Sequence, residues 1–172
     1  MAADIKPVVN IADVPLRDFG QGHNFSARVG SFGNLIGSTG IGVMLHVVEP
    51  GKRAYPFHAH HHTQELFVIL EGEGTYRFGA QSYPIRENDV LAAPAGGADV
   101  AHQIINTGDR PLKYLGISAN ALGADVVEYP DSGKFAVSSR FDRTTQSGGV
   151  RYIGRTENSL GYWDGEDIGE DQ

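Results

Sequence analysis

Residues 58–65 read His-Ala-His-His-His-Thr-Gln-Glu, four imidazoles in five positions followed by a carboxylate three residues after the last. Imidazole nitrogen and carboxylate oxygen together form a donor set for a divalent transition ion, and the chain has no cysteine to offer thiolate instead. On an extended strand, side chains two apart share a face, so His58 with His60, or His60 with His62, can reach one ion. His61 falls between them on the other face. Spacing leaves both registers open. Further donors must come from elsewhere, and Glu65 and His102 are the candidates, since each opens a run of strand character.

Short strands must position these groups. Segments 43–48, 66–70, 74–78, 90–93, 102–106 and 112–117 are mostly rich in β-branched and aromatic residues. Between them lie Glu-Pro-Gly, Glu-Gly-Glu-Gly, Gly-Ala-Gln-Ser, Pro-Ala-Gly-Gly and Asn-Thr-Gly-Asp-Arg-Pro, the residues turns require. Tyr76 and Phe78 share one face of their segment, with Thr75 and Arg77 on the other. Residues 66–70, Leu-Phe-Val-Ile-Leu, are apolar on both faces and predict a strand covered on both sides. No segment here sustains helical periodicity, so helices are confined to short pieces near the ends. The reading is all-β, as a sandwich, barrel or jelly roll. The His-x-His cluster occurs once and no internal repeat is present.

The 172 residues suit one domain with extensions, able to bury roughly 70% of the unfolded surface. Residues 1–42 read as edge strands and loops, 43–117 as the barrel core, and 118–172 as a polar C-terminal arm in which Tyr162 and Trp163 are expected to anchor on the domain or on a second subunit. Gly37, Gly40 and Gly42 match a dinucleotide-binding glycine pattern only loosely, without its strand-to-helix setting. The net charge of −7 comes largely from the terminus, where six acids fall within the last sixteen residues. That composition describes a solvated tail. No basic stripe exists to replace phosphate counterions, which argues against nucleic acid as a partner. No signal peptide or membrane-length apolar run is visible, so a cytoplasmic, soluble chain without membrane attachment is expected.

Two ordered motifs carry a family resemblance. Gly51, His58, His60, Glu65 and Gly72 resemble the first motif of the cupin superfamily, with four residues between His60 and Glu65 and six between Glu65 and Gly72. Asn88, Pro94, Gly96, His102 and Asn106 resemble the second. Three departures stand out: six residues rather than five precede His58, Asn88 replaces a glycine, and five residues (97–101, Gly-Ala-Asp-Val-Ala) rather than two separate Gly96 from His102. Asparagine tolerates positive φ, so a turn at Asn88 remains feasible. The insertion is expected to reshape the mouth of the site.

The resemblance implies a cupin double-stranded β-helix, or jelly-roll barrel, with N- and C-terminal extensions. It selects the His58/His60 register and implies His58, His60, Glu65 and His102 as ligands of one divalent transition metal per chain: Fe, Mn, Ni, Zn or Co. A flexible surface tract that scavenges metals would explain the histidine run alone, but not Glu65, Gly72 and the second motif at their spacings. His61 and His62 are then exposed or neighbouring partners, His46 a core or wall residue, and His23 a loop residue. Gln64, Tyr76, Gln103 and Tyr114, with Arg53 and Tyr55, are candidates to face a pocket, while Phe67, Ile69 and Ile104 belong to the core.

For function, the resemblance implies an enzyme acting on a small oxygen-rich or anionic metabolite through metal Lewis-acid chemistry, of isomerase or lyase type. The Glu-Tyr-Pro-Asp-Ser-Gly-Lys stretch is similar to that of small bacterial cupins often labelled sugar-phosphate isomerases. The alternatives are a non-haem Fe(II) dioxygenase and a non-catalytic small-molecule binding or sensing module. A homodimer paired through edge strands is the family expectation.

Overall fold

The computed structural model describes residues 5–38, 40–119, 124–139 and 148–169. Its strands are β1 (Arg17–Gln21), β2 (Phe25–Ser31), β3 (Ile41–Val48), β4 (Ala59–His60), β5 (Glu65–Glu71), β6 (Glu73–Phe78), β7 (Gln81–Arg86), β8 (Val90–Ala93), β9 (His102–Ile105), β10 (Leu112–Ala119), β11 (Ala124–Tyr129), β12 (Lys134–Ser139) and β13 (Val150–Gly154). The one α-helix among the described residues, α1 (Gly33–Ile36), is a single turn. All named strand pairs are antiparallel.

Three sheets build the barrel. The first runs β1-β2-β3-β10-β5-β8, the second β7-β6-β9, and the third β13-β12-β11-β4. Alternation along the strands decides what fills the space between them: Val29, Phe67, Ile69, Tyr76, Ile104 and Tyr114 turn inward into one buried cluster drawn from the first and second sheets. Leu45, on the opposite face of β3, joins Val14 and Phe32 in a second cluster, against which Leu70 and Leu115 pack. The N-terminal segment thus covers the outer face of the first sheet. That cover explains why 66–70 is apolar on both sides, apart from Leu66, which remains partly exposed.

Turns between strands depend on a few backbone positions. Gly72 adopts φ +85° between β5 and β6, and a Cβ there would sit 2.7 Å from the Pro111 carbonyl oxygen, so only glycine fits. Asn88 adopts φ 72°, the one non-glycine residue with positive φ among those described, as its side chain allows.

Two segments differ from expectation. Gln81 and Ser82 read as turn and 83–86 as no element; together they form β7, whose Pro84 is accommodated because β7 is the edge strand of its sheet. The C-terminal stretch, expected as an arm or loop, carries three strands, and β11 pairs with β4 through Val127 opposite His60 and Glu128 opposite Ala59. Its composition is polar because β12 is only half-buried along its length, so it never acquires a hydrophobic run. Tyr162 and Trp163 pack edge to face on each other at 4.5 Å and stay exposed, without anchoring to the domain. Glu170 and Asp171 lie outside the described residues.

Asn106, from the second motif, locks the loop beside β9. It is fully buried, donates from Nδ2 to the Val48 and Arg110 carbonyls at 2.7 and 2.8 Å, and accepts from the Gly108 N–H at 3.0 Å. Asn106→Ala strands these buried groups, and urea denaturation should show a loss of about 2–4 kcal/mol.

Candidate metal centre

His58 and His60 lie either side of Ala59, whose side chain turns away into a small cluster with Phe57 and Ala101. Strand parity therefore sends both imidazoles to the barrel interior. Glu65 opens β5 on the facing sheet and His102 opens β9, whose backbone exchanges hydrogen bonds with His58 at 2.7 and 3.1 Å. The insertion 97–101 forms a short 3-10 turn and buries Ala101 and Val100 beside Phe57 and Ala59, so it braces the back of the histidine strand.

One donor atom each from His58, His60 and Glu65 lies within 4.8 Å of the others. His60 Nε2 is 3.6 Å and His102 Nε2 is 3.2 Å from the same Glu65 oxygen, and the His58 and His102 rings are 4.6 Å apart between centroids. Two donors held about 2.1 Å from one ion can be no more than about 4.2 Å apart, and both measured separations to Glu65 fall inside that limit.

The far sides of the rings fix which nitrogen is available. His58 Nδ1 donates to the Pro56 carbonyl at 2.8 Å, and His60 Nδ1 donates to Asp125 Oδ2 at 2.6 Å. Each Nε2 is then left with a free lone pair, that of His60 lying 3.6 Å from Glu65. Burial, reinforced by the neighbouring His102 and His60, lowers the His58 pKa to about 4, which keeps its ring neutral and ready to ligate. Burial opposes the charge on Glu65, but the hydrogen bond from His102 and the adjacent imidazoles outweigh it, so its pKa falls below the usual carboxylate value. Three imidazoles and one carboxylate brought together in a half-buried cluster fit a divalent transition ion. His102 Nδ1 is buried without a hydrogen-bond partner, so that ring is oriented by packing, against Phe67 and Tyr76 at 5.6 and 6.3 Å.

Asp125 was not singled out in the sequence. It comes from β11, sixty-five residues from His60, and is mostly buried. Its Oδ2 holds His60 while Oδ1 accepts the His62 N–H at 3.1 Å, which fixes the turn between β4 and β5. Its pKa is lowered because these hydrogen bonds, His60 first, overcome desolvation. An acid inside the β-branched run Ala-Asp-Val-Val-Glu-Tyr was the available signal, but nothing local linked it to the histidines. His61 pairs with Glu128 at 3.1 Å, and His62 is exposed beside Asp125.

Among the other sequence candidates, Tyr76 and Tyr114 are buried near the cluster, and Glu65 helps push both phenol pKa values up after burial has done most of it. Tyr76 donates to the Ala92 carbonyl at 2.7 Å, and Tyr114 stacks on His46 at 4.6 Å. His46 is itself buried, with its pKa lowered to about 4 by desolvation, and lies 3.1 Å from the Tyr55 hydroxyl. Gln64 is exposed, and Gln103 faces away from His102, tied to Arg77 and the Tyr55 carbonyl.

This barrel, with donors from its two facing sheets, has known counterparts, and residues 44–118 match the cupin domain family. The barrel has the cupin fold. Over 79 residues, or 45% of the chain, it is 33% identical to the mannose-1-phosphate guanylyltransferase RfbM of Salmonella typhimurium, of which it covers only 16%. The cupin fold is shared with a crystal structure from Acidithiobacillus ferrooxidans that carries the provisional name sugar phosphate isomerase (TM-score 0.71, 23% identity, 89% of this chain and 94% of that one). It is shared with a cupin-superfamily sugar phosphate isomerase from Silicibacter pomeroyi (TM-score 0.71, 20% identity, 92% and 98%). A predicted oxalate decarboxylase from Thermotoga maritima overlaps the cupin core (TM-score 0.57, 22% identity, 65% and 97%). No helix among the described residues is long and apolar enough to cross a membrane.

Proposed function

We propose that this cupin is a metal-dependent enzyme holding one divalent transition ion through His58, His60, Glu65 and His102, and acting on a small oxygen-rich or anionic metabolite. The observation that carries the reading is the approach of one donor atom each from His58, His60 and Glu65 to within 4.8 Å, with the Nδ1 atoms of His58 and His60 already engaged elsewhere and His102 at 3.2 Å from Glu65. When bound, the ion supplies Lewis-acid polarisation of a substrate oxygen.

The protein's own groups do the rest. With Glu65 as the one anionic donor among His58, His60, Glu65 and His102, a divalent ion held there would keep about one net positive charge, which would favour an anionic or chelating oxygen ligand. Buried Tyr76 and Tyr114 stay protonated across the physiological range, so no competing anion arises beside the substrate. Phe67 and the stacked His46–Tyr114 pair give the interior an apolar wall that limits water. The resemblance in fold to sugar phosphate isomerases supports isomerase or lyase chemistry, with a sugar phosphate as the substrate class to assay first.

Elemental analysis combined with native mass spectrometry of untagged protein tests this reading: about one transition ion per chain and a co-purified oxygen-rich ligand are expected, and metal-free active protein would contradict it. Fe(II)-dependent oxygen uptake with any candidate substrate would instead make the protein a dioxygenase. We also propose a homodimer, supported by the edge position of β13 and its exposed Val150, Tyr152 and Ile153. Light scattering showing a monomer at micromolar concentration would contradict it.

A further inference from the structure

A second concave site lies on the other side of β9 from the metal centre. On β6 and β9, Tyr76 and His102 turn inward, whereas Arg77 and Gln103 project from the opposite face and hydrogen-bond there at 3.0 Å. Outside that face is a cavity of about 290 Å³ lined by Arg53, Pro56, Phe57, Gln103, Ser132 and Lys134. Its size is at the lower end of small-molecule pockets.

The charges around it are unequally matched. Asp131 is engaged by Arg77 through two parallel hydrogen bonds of 2.8 and 3.0 Å, and Arg77 lies 4.1 Å over the Phe57 ring. Asp131 also lines the cavity, and, after Arg77, Arg53 helps to hold its pKa down without forming an ion pair with it. Arg53 and Lys134 also line the cavity, and neither makes an ion pair among the described residues. The Arg53 guanidinium rests 5.4 Å over Phe25, and its Nε is buried without a hydrogen-bond partner. Lys134 Nζ lies 4.8 Å from the Tyr129 ring centroid. Its backbone held by Asn24 and Ser26, Arg53 is fixed at the cleft rather than extended into solvent.

We infer that this cavity is a separate binding site for a small organic anion, one carrying a carboxylate or phosphate group to accept from Arg53 and Lys134, with its carbon skeleton against Pro56 and Phe57. The local balance supports this: Arg53, Arg77 and Lys134 against Asp131 leave a surplus of two positive charges on a chain whose net charge is −7. The site does not depend on the metal reading, although it abuts both histidine segments. Pro56, which lines it, also holds His58, and Gln103 adjoins His102.

The test is an NMR titration of the full-length protein with inorganic phosphate and, separately, malonate, following the Gln103 side-chain amide and the backbone amides of Ser132 and Lys134. Saturable shifts at these positions are expected, together with at least about tenfold weaker binding in Arg53→Gln and a smaller loss in Lys134→Gln, whose side chain is only half-buried. Preference for one probe separates a phosphate from a carboxylate ligand. Binding must persist in Glu65→Ala. Loss of binding in Glu65→Ala, shifts confined to the metal centre, or equal affinity in both cation variants would overturn the inference, and so would the absence of saturable shifts with either anion.

Discussion

Replacing Glu65 with alanine is expected to strip the bound ion from the protein while leaving the barrel folded. Glu65 is the single anionic donor in the cluster, and it is the atom group on which His60 and His102 converge, at 3.6 and 3.2 Å. Without it a divalent ion would sit in a half-buried site with both charges uncompensated, a large electrostatic cost. Loss of an orienting partner alone weakens metal binding about 10–100-fold, and loss of a direct ligand should exceed that range. The fold has little stake in the side chain, which belongs to neither buried cluster lining β5, so far-UV circular dichroism should be preserved. His60→Ala should also lose the ion, and it leaves Asp125 without its imidazole. Metal content near that of the parent protein in both variants would place the ion elsewhere.

The second large effect is expected at Asp125, which touches no ion. Its carboxylate holds the Nδ1–H of His60 at 2.6 Å and so fixes the tautomer and direction of the ring. Asp125→Asn keeps the shape but removes the charge that makes the imidazole more basic, and metal affinity measured by chelator competition should fall about 10-fold. Asp125→Ala also frees the His62 N–H and loosens the turn into β5, so the loss should approach about 100-fold. A merely structural role would lower thermal stability without changing affinity in the folded protein. Parent-like affinity in both variants would remove Asp125 from the centre.

Local pattern carried much of the barrel and part of the site. Strand parity left two registers open for the histidines and the resemblance to the cupin motif selected His58 and His60 with Glu65, three residues that the structure brings within 4.8 Å of one another. Asn88 was legible for a similarly local reason, its tolerance of positive φ. β7 was not, because Pro84 and a polar start disguise an edge strand as a turn. Nor was Asp125: its partner lies on another strand brought alongside only by the β4–β11 pairing, and half-buried β12 and exposed β13 give that sheet no hydrophobic signature. Gln103 illustrates the limit within a motif, since it adjoins His102 yet faces the other side of β9. The register of β9, which no spacing rule states, decides that.

The most direct test is an anomalous-difference map from a crystal of the untagged protein, measured at the absorption edge of whichever metal elemental analysis finds. One peak is expected about 2.0–2.3 Å from the Nε2 atoms of His58, His60 and His102 and from a Glu65 oxygen. A peak at the exposed His61 and His62 instead, or none within the barrel of metal-containing protein, would contradict the account.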